Sequence, residues 1–172
     1  MLVDLLRHLP DWVWLVPVLP LLALSLTGLR VLLGRATGDA AEPLTARLCS
    51  LAAFAGLLLL LALDLLAVLD GVPGHRVIAY WFSGSNWQGS FSYLMDELSL
   101  SLATLVALIG WLVMRFSANY LHREAGFHRF FIILSFFLAG IQLVLLAGNG
   151  LLTFVGWEMC GMSSFLLIGY AW

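Results

Sequence analysis

Residues 151–171 run for 21 positions with one charged side chain, Glu158, among apolar and small polar residues. At about 1.5 Å per residue, a helix of that length crosses the ~30 Å hydrocarbon core of a bilayer. Glu158 lies eight residues past Gly150, roughly 12 Å down the helix and close to mid-membrane. An ionised carboxylate at that depth costs at least ~2.5–3.5 kcal/mol. The acid must therefore be protonated, paired, or turned towards water inside a bundle.

A helical wheel divides this run into two faces. Gly156, Cys160, Ser163 and Ser164 form a stripe of small residues, the kind that lets two helices approach closely. Glu158 points to nearly the opposite side, with Leu151, Phe154, Met162, Phe165 and Gly169 around it. Both faces then have a use, so the helix is expected to be central, its acid facing a second neighbour or a cavity. The plain alternative is a packing hydrogen bond to an adjacent helix. An intramembrane acid is by default the mark of a functional site.

The remainder of the chain has the same character. Of 172 residues 62% are hydrophobic and 10% charged, and the mean hydropathy is +1.01. That composition excludes a soluble domain and fits a multi-span membrane protein. Apolar runs at 13–33, 48–69, 98–116 and 130–147 precede the last one. The expected fold is all-α: five transmembrane helices with a short β-hairpin in the external loop between helices 2 and 3. Two regions follow, a two-span part with the hairpin (1–97) and a three-span part (98–172). The length leaves no extramembrane domain for a nucleotide or redox centre. A net charge of −2 offers no nucleic-acid surface. Cys49 and Cys160 sit in separate apolar runs at mismatched depths and read as core residues. No cofactor or metal site is expected.

The loops carry further signals. In residues 71–97 two aromatic-rich runs flank a Gly-Ser-Asn turn, which is hairpin chemistry. Asp96 and Glu97 suit the positive end of the third helix. Asp64 lies about 8 Å from the end of the second span, shallow enough to reach water or a headgroup. His122, Glu124 and His128 match no standard metal-ligand spacing and read as a solvated loop. The Gly148-Asn149-Gly150 turn makes the last two spans an antiparallel helical hairpin, with Asn149 placed to cap the final helix. Equal counting along both arms puts Glu158 level with Ala139, between Ser135 and Gln142. Ala139 would then leave room for the carboxyl or a water, and Gln142 could donate a hydrogen bond to it.

All eight basic residues are arginine. Arg30, Arg35 and Arg47 border the first-to-second loop; Arg115, Arg123 and Arg129 border the third-to-fourth; only Arg7 and Arg76 fall on the other side. The positive-inside rule then puts the N-terminus and hairpin outside and the C-terminal end in the cytoplasm, in a cell's inner (plasma) membrane.

From Phe91 onward, FSYLMDELSLSL, SANYLHREAGFHRFF and LLAGNGLLTFVGWEMCGMSSFLLIGYAW resemble the antiporter-like membrane subunits of respiratory complex I. The likeness is to the L-type (ND-five-like) subunit and its relatives in Mrp cation/proton antiporters, membrane hydrogenases and DabB-type inorganic-carbon uptake complexes. The GWE…G.SS.LLIG string carries most of it. The first ninety or so residues agree in layout. The resemblance implies that Glu158 partners a lysine on a later, broken helix, and that the pair changes charge as the site opens, moving a proton. Because this chain has no lysine, that helix must come from elsewhere: from a longer protein of which this is the first part, or from a partner chain of a split subunit. The expected function is the N-terminal portion of a proton-translocating subunit in a complex I-type, NADH-quinone oxidoreductase-related assembly, with other membrane subunits, protons or monovalent cations and the bilayer as partners. The alternative is a structural anchor in such a complex, including a DabB-type or Mrp-type one.

Overall fold

The computed structural model describes residues 8–36, 38–83 and 88–170. They form five helices long and apolar enough to cross a membrane and one antiparallel hairpin. A short 3-10 turn, Leu9–Trp12, leads into α1, Leu15–Leu32. Pro17 falls in the first turn of α1, where its missing N–H costs nothing, whereas Pro20 lies inside the helix. α2 is Glu42–Asp70. It starts six residues before the apolar run because Pro43 suits a first helical turn, so the loop before it is shorter than expected.

Strands β1, Gly74–Ser83, and β2, Gln88–Met95, pair antiparallel from Gly74 opposite Met95 to Ser83 opposite Gln88. Register shifts between Val77 and Ala79 and between Tyr80 and Phe82 bend the ribbon. The Gly-Ser-Asn turn expected at 84–86 lies outside the described residues. Tyr93 packs into the core, and burial pushes its phenol up to about 12.

α3, Glu97–Tyr120, opens on Asp96, whose side chain accepts from the Ser99 N–H at 2.7 Å. That bond holds the Asp96 carboxyl below its ordinary value. The cap is therefore complete above the ordinary aspartate pKa and weakens as pH falls through the lowered one. α4 is Phe127–Leu146 and α5 is Gly150–Ile168. Asn149 caps α5 as expected, its Oδ1 accepting from Leu152 N at 2.9 Å. The same side chain donates to Ser90 O at 2.7 Å and Ser92 Oγ at 2.8 Å, and Gly148 N donates to Ser92 O at 2.8 Å. The α4–α5 turn is thus stitched to β2.

α4 is the centre of the bundle and packs against all four other helices. Over its most apolar stretch 56% of residues are buried, against 17% for α5. The expectation that the last helix is central is corrected: within this chain α5 packs mainly on α4 and leaves its other face open. A wheel shows that both faces are specialised, but it cannot show that only one finds its neighbour among these five helices.

The core forms two clusters. One, near the hairpin, gathers Val16, Leu60, Met95, Leu100 and Leu146; the other, near the arginine-rich end, gathers Ala23, Cys49, Met114, Phe127 and Phe131. Leu51, Leu58, Leu61 and Leu65 of α2 stay exposed, as suits a face turned to lipid.

At the arginine-rich end the first-to-second and third-to-fourth loops dock on each other. Buried Glu42 accepts from Arg123 N at 3.1 Å and contacts His122 Nδ1 at 2.7 Å. Arg123 Nε reaches Asp39 at 2.9 Å, and His128 Nδ1 meets Thr45 Oγ1 at 2.9 Å. Both arginine clusters therefore occupy one end of the bundle, and the hairpin occupies the other.

Candidate functional site

α5 touches α4 through glycine. A Cβ added to Gly140 would meet Met159 Cβ at 2.8 Å and Gly156 O at 3.1 Å; one added to Gly156 would meet Gly140 O at 2.7 Å and Val144 N at 2.9 Å. The small-residue stripe therefore does what its composition implies: it lets two backbones meet. Ser163, on the same stripe, is fully buried and returns its hydroxyl to Met159 O at 2.6 Å.

Two residues past Gly156 the helix has turned by roughly 200°, and Glu158 points away from α4. It is exposed, in a row with Phe154, Trp157, Met162, Phe165 and Ile168. Among the described residues no hydrogen bond or ion pair reaches its carboxyl. Glu158 is thus an acid at mid-span on a face of large apolar side chains. In a membrane such an acid needs protonation, a counterpart or water against that face.

The three residues expected beside it are elsewhere. Ser135, Ala139 and Gln142 are all buried on the faces of α4 turned from α5. Gln142 Nε2 donates to Ala103 O of α3 at 3.0 Å, and Ser135 Oγ donates to Phe131 O at 2.8 Å. Equal counting from the turn succeeds for depth, since Gly140 meets residues 156 to 160. It fails for direction: Gln142 lies roughly 200° round α4 from Gly140. The expected hydrogen bond from Gln142 to Glu158 is therefore absent, and Gln142 serves the α3–α4 contact instead.

Asp64 also differs from a simple interfacial acid. It is half-buried, and Thr104 Oγ1 of α3 donates to its Oδ2 at 2.6 Å. No sequence spacing pairs residues that far apart, so Thr104 carries no signal that could have singled it out. His122 and His128 have separate partners, Glu42 and Thr45.

Residues 81–131 match the family described as NADH-Ubiquinone oxidoreductase (complex I), chain 5 N-terminus. The chain is 37% identical over 154 residues to NADH-quinone oxidoreductase subunit L of Mycobacterium tuberculosis, covering 87% of this chain and 24% of that protein. It is 30% identical over 165 residues to the chloroplastic NAD(P)H-quinone oxidoreductase subunit 5 of Ceratophyllum demersum, covering 96% of this chain and 22% of the relative. A similar protein from Paulinella chromatophora is 28% identical over 167 residues, with 96% and 25% covered. The chain spans about a quarter of the length of the curated relatives it matches.

Proposed function

We propose that this chain, which resembles the N-terminal region of the antiporter-like membrane subunits of complex I, works as that portion of a proton-translocating subunit. The observation that carries the proposal is Glu158, a mid-span acid without a partner among the described residues, on the open face of a helix whose other face is locked to α4 by glycine contact. A helix bearing a cation would complete the site. Enclosure of that face in apolar surroundings favours the neutral acid, and an adjacent cation favours the carboxylate. Alternating between the two conditions loads and unloads a proton. The lysine that the family places on a later, broken helix is the natural cation. NAD(P)H and quinone chemistry, which the relatives' names carry, belongs to other subunits of the assembly.

Membership of such an assembly has a direct check. The full-length protein, tagged and extracted in a mild detergent, should bring down further membrane subunits and NADH-dehydrogenase activity. Recovery as a single-subunit species, with the detergent shown to preserve other complexes, would count against it.

The arginine asymmetry supports an orientation with the hairpin outside and the Glu42–His122 end in the cytoplasm, in an inner (plasma) membrane. Impermeant thiol reagents applied to intact cells should label Tyr80→Cys and spare Glu124→Cys. Labelling of Glu124→Cys with Tyr80→Cys protected would reverse the topology.

A further inference from the structure

We infer that a single bound water sits inside the bundle between α1, α2 and α4, donating one hydrogen to Gln142 Oε1 and the other to the carbonyl of Val16. One buried side-chain acceptor lacks a donor, and a backbone carbonyl lining the same cavity has lost its helical one. Gln142 is 1% exposed, and its Oε1 has no hydrogen-bond partner. The amide cannot flip to cure this, because Nε2 is already spent on Ala103 O at 3.0 Å, an atom that only accepts. Val16 is 2% exposed, and the N–H its carbonyl would take four residues on belongs to Pro20, which has none.

Val16, Pro20, Gly56 and Gln142 line one cavity of about 10 Å³, the space that a single water centre needs. A Cβ placed on Gly56 would find only Val16 O within 4 Å, at 3.7 Å, so the glycine holds this space open next to the orphaned carbonyl. The chemistry selects water. Both groups are acceptors, so the occupant must donate twice. The lining residues carry no charge to neutralise a cation, and two oxygens fall short of a cation's shell. No titratable side chain lines the cavity, so the water bridges α1 and α4 and carries no protons onward.

The test uses the full-length protein. A map fine enough to show waters elsewhere in the membrane region should show one density between Gln142 Oε1 and Val16 O. An empty cavity in such a map would overturn the assignment. Gly56→Ala supplies an independent sign test, read as Tm. Alanine outranks glycine in a helix and would fill a dry gap, so a dry cavity predicts a higher Tm. A methyl that expels a bound water strands two acceptors, so the bound-water assignment predicts a lower one. In a Gln142→Met background, where one acceptor is gone, the loss on Gly56→Ala should shrink markedly. A rise in the native background, or an equal fall in both, would overturn it.

Discussion

Glu158→Gln in the intact assembly is expected to leave folding and subunit composition unchanged while losing most of the proton pumping. The amide has nearly the shape of the acid but holds no negative charge and carries no exchangeable acidic proton. Because no hydrogen bond or ion pair reaches Glu158 among the described residues, the substitution removes none from the five-helix bundle, so a loss of pumping reads on a partner outside them. Glu158→Asp should retain part of the activity, since the charge survives on a shorter arm. The order of the two variants separates the working role from an anchoring one. If the carboxyl only packs, glutamine should be nearly normal and aspartate the more disturbed. Proton translocation in vesicles, normalised to assembled complex, is the measurement. Full pumping in Glu158→Gln would end the claim for this residue.

The second large effect is expected at Gly156. A methyl there would lie 2.7 Å from Gly140 O and 2.9 Å from Val144 N. Both are backbone atoms of a packed helix and cannot swing aside as a side-chain tip can. Gly156→Ala should cost about 1–3 kcal/mol, the usual penalty for overpacking. Gly156→Leu should separate α5 from α4, and the subunit should fail to accumulate. Gly28→Ala is the control, since an added Cβ on that α1 position meets nothing within 4 Å. It should be neutral or gain up to about 1 kcal/mol from helix propensity. Thermal stability and steady-state level of the three variants check this. A Gly156→Leu protein of normal Tm would show that the two helices do not depend on close approach.

The two predictions concern opposite faces of one helix, and the sequence exposes that division directly. The spacing of Gly156, Cys160 and Ser163 against Glu158 is a local property, set by a turn of about 100° per residue. The same holds for the hairpin, whose alternating aromatic runs flank turn residues, and for Asn149, whose short polar side chain precedes an apolar run and reaches Leu152 N. These features involve residues at most a few positions apart, or matched runs on either side of one turn. The five spans were legible too, because hydrocarbon imposes length and polarity limits that a chain must meet segment by segment.

What only the tertiary structure decided is which face meets which neighbour. Gln142 is buried whichever way it points, and nothing within its own helix says that Ala103, 39 residues away, takes its amide. Asp64 pairs with Thr104 across 40 residues, and Glu42 meets His122 across 80. α4 became the centre because four helices packed around it, an outcome of competition among faces that are all apolar enough to be buried or to meet lipid. In a membrane that competition has little hydrophobic drive, since lipid is as apolar as a neighbouring helix. Fit of backbone to backbone at Gly140 and Gly156, and the few polar groups that must find partners, settle the arrangement. Those terms exist only once the helices are side by side.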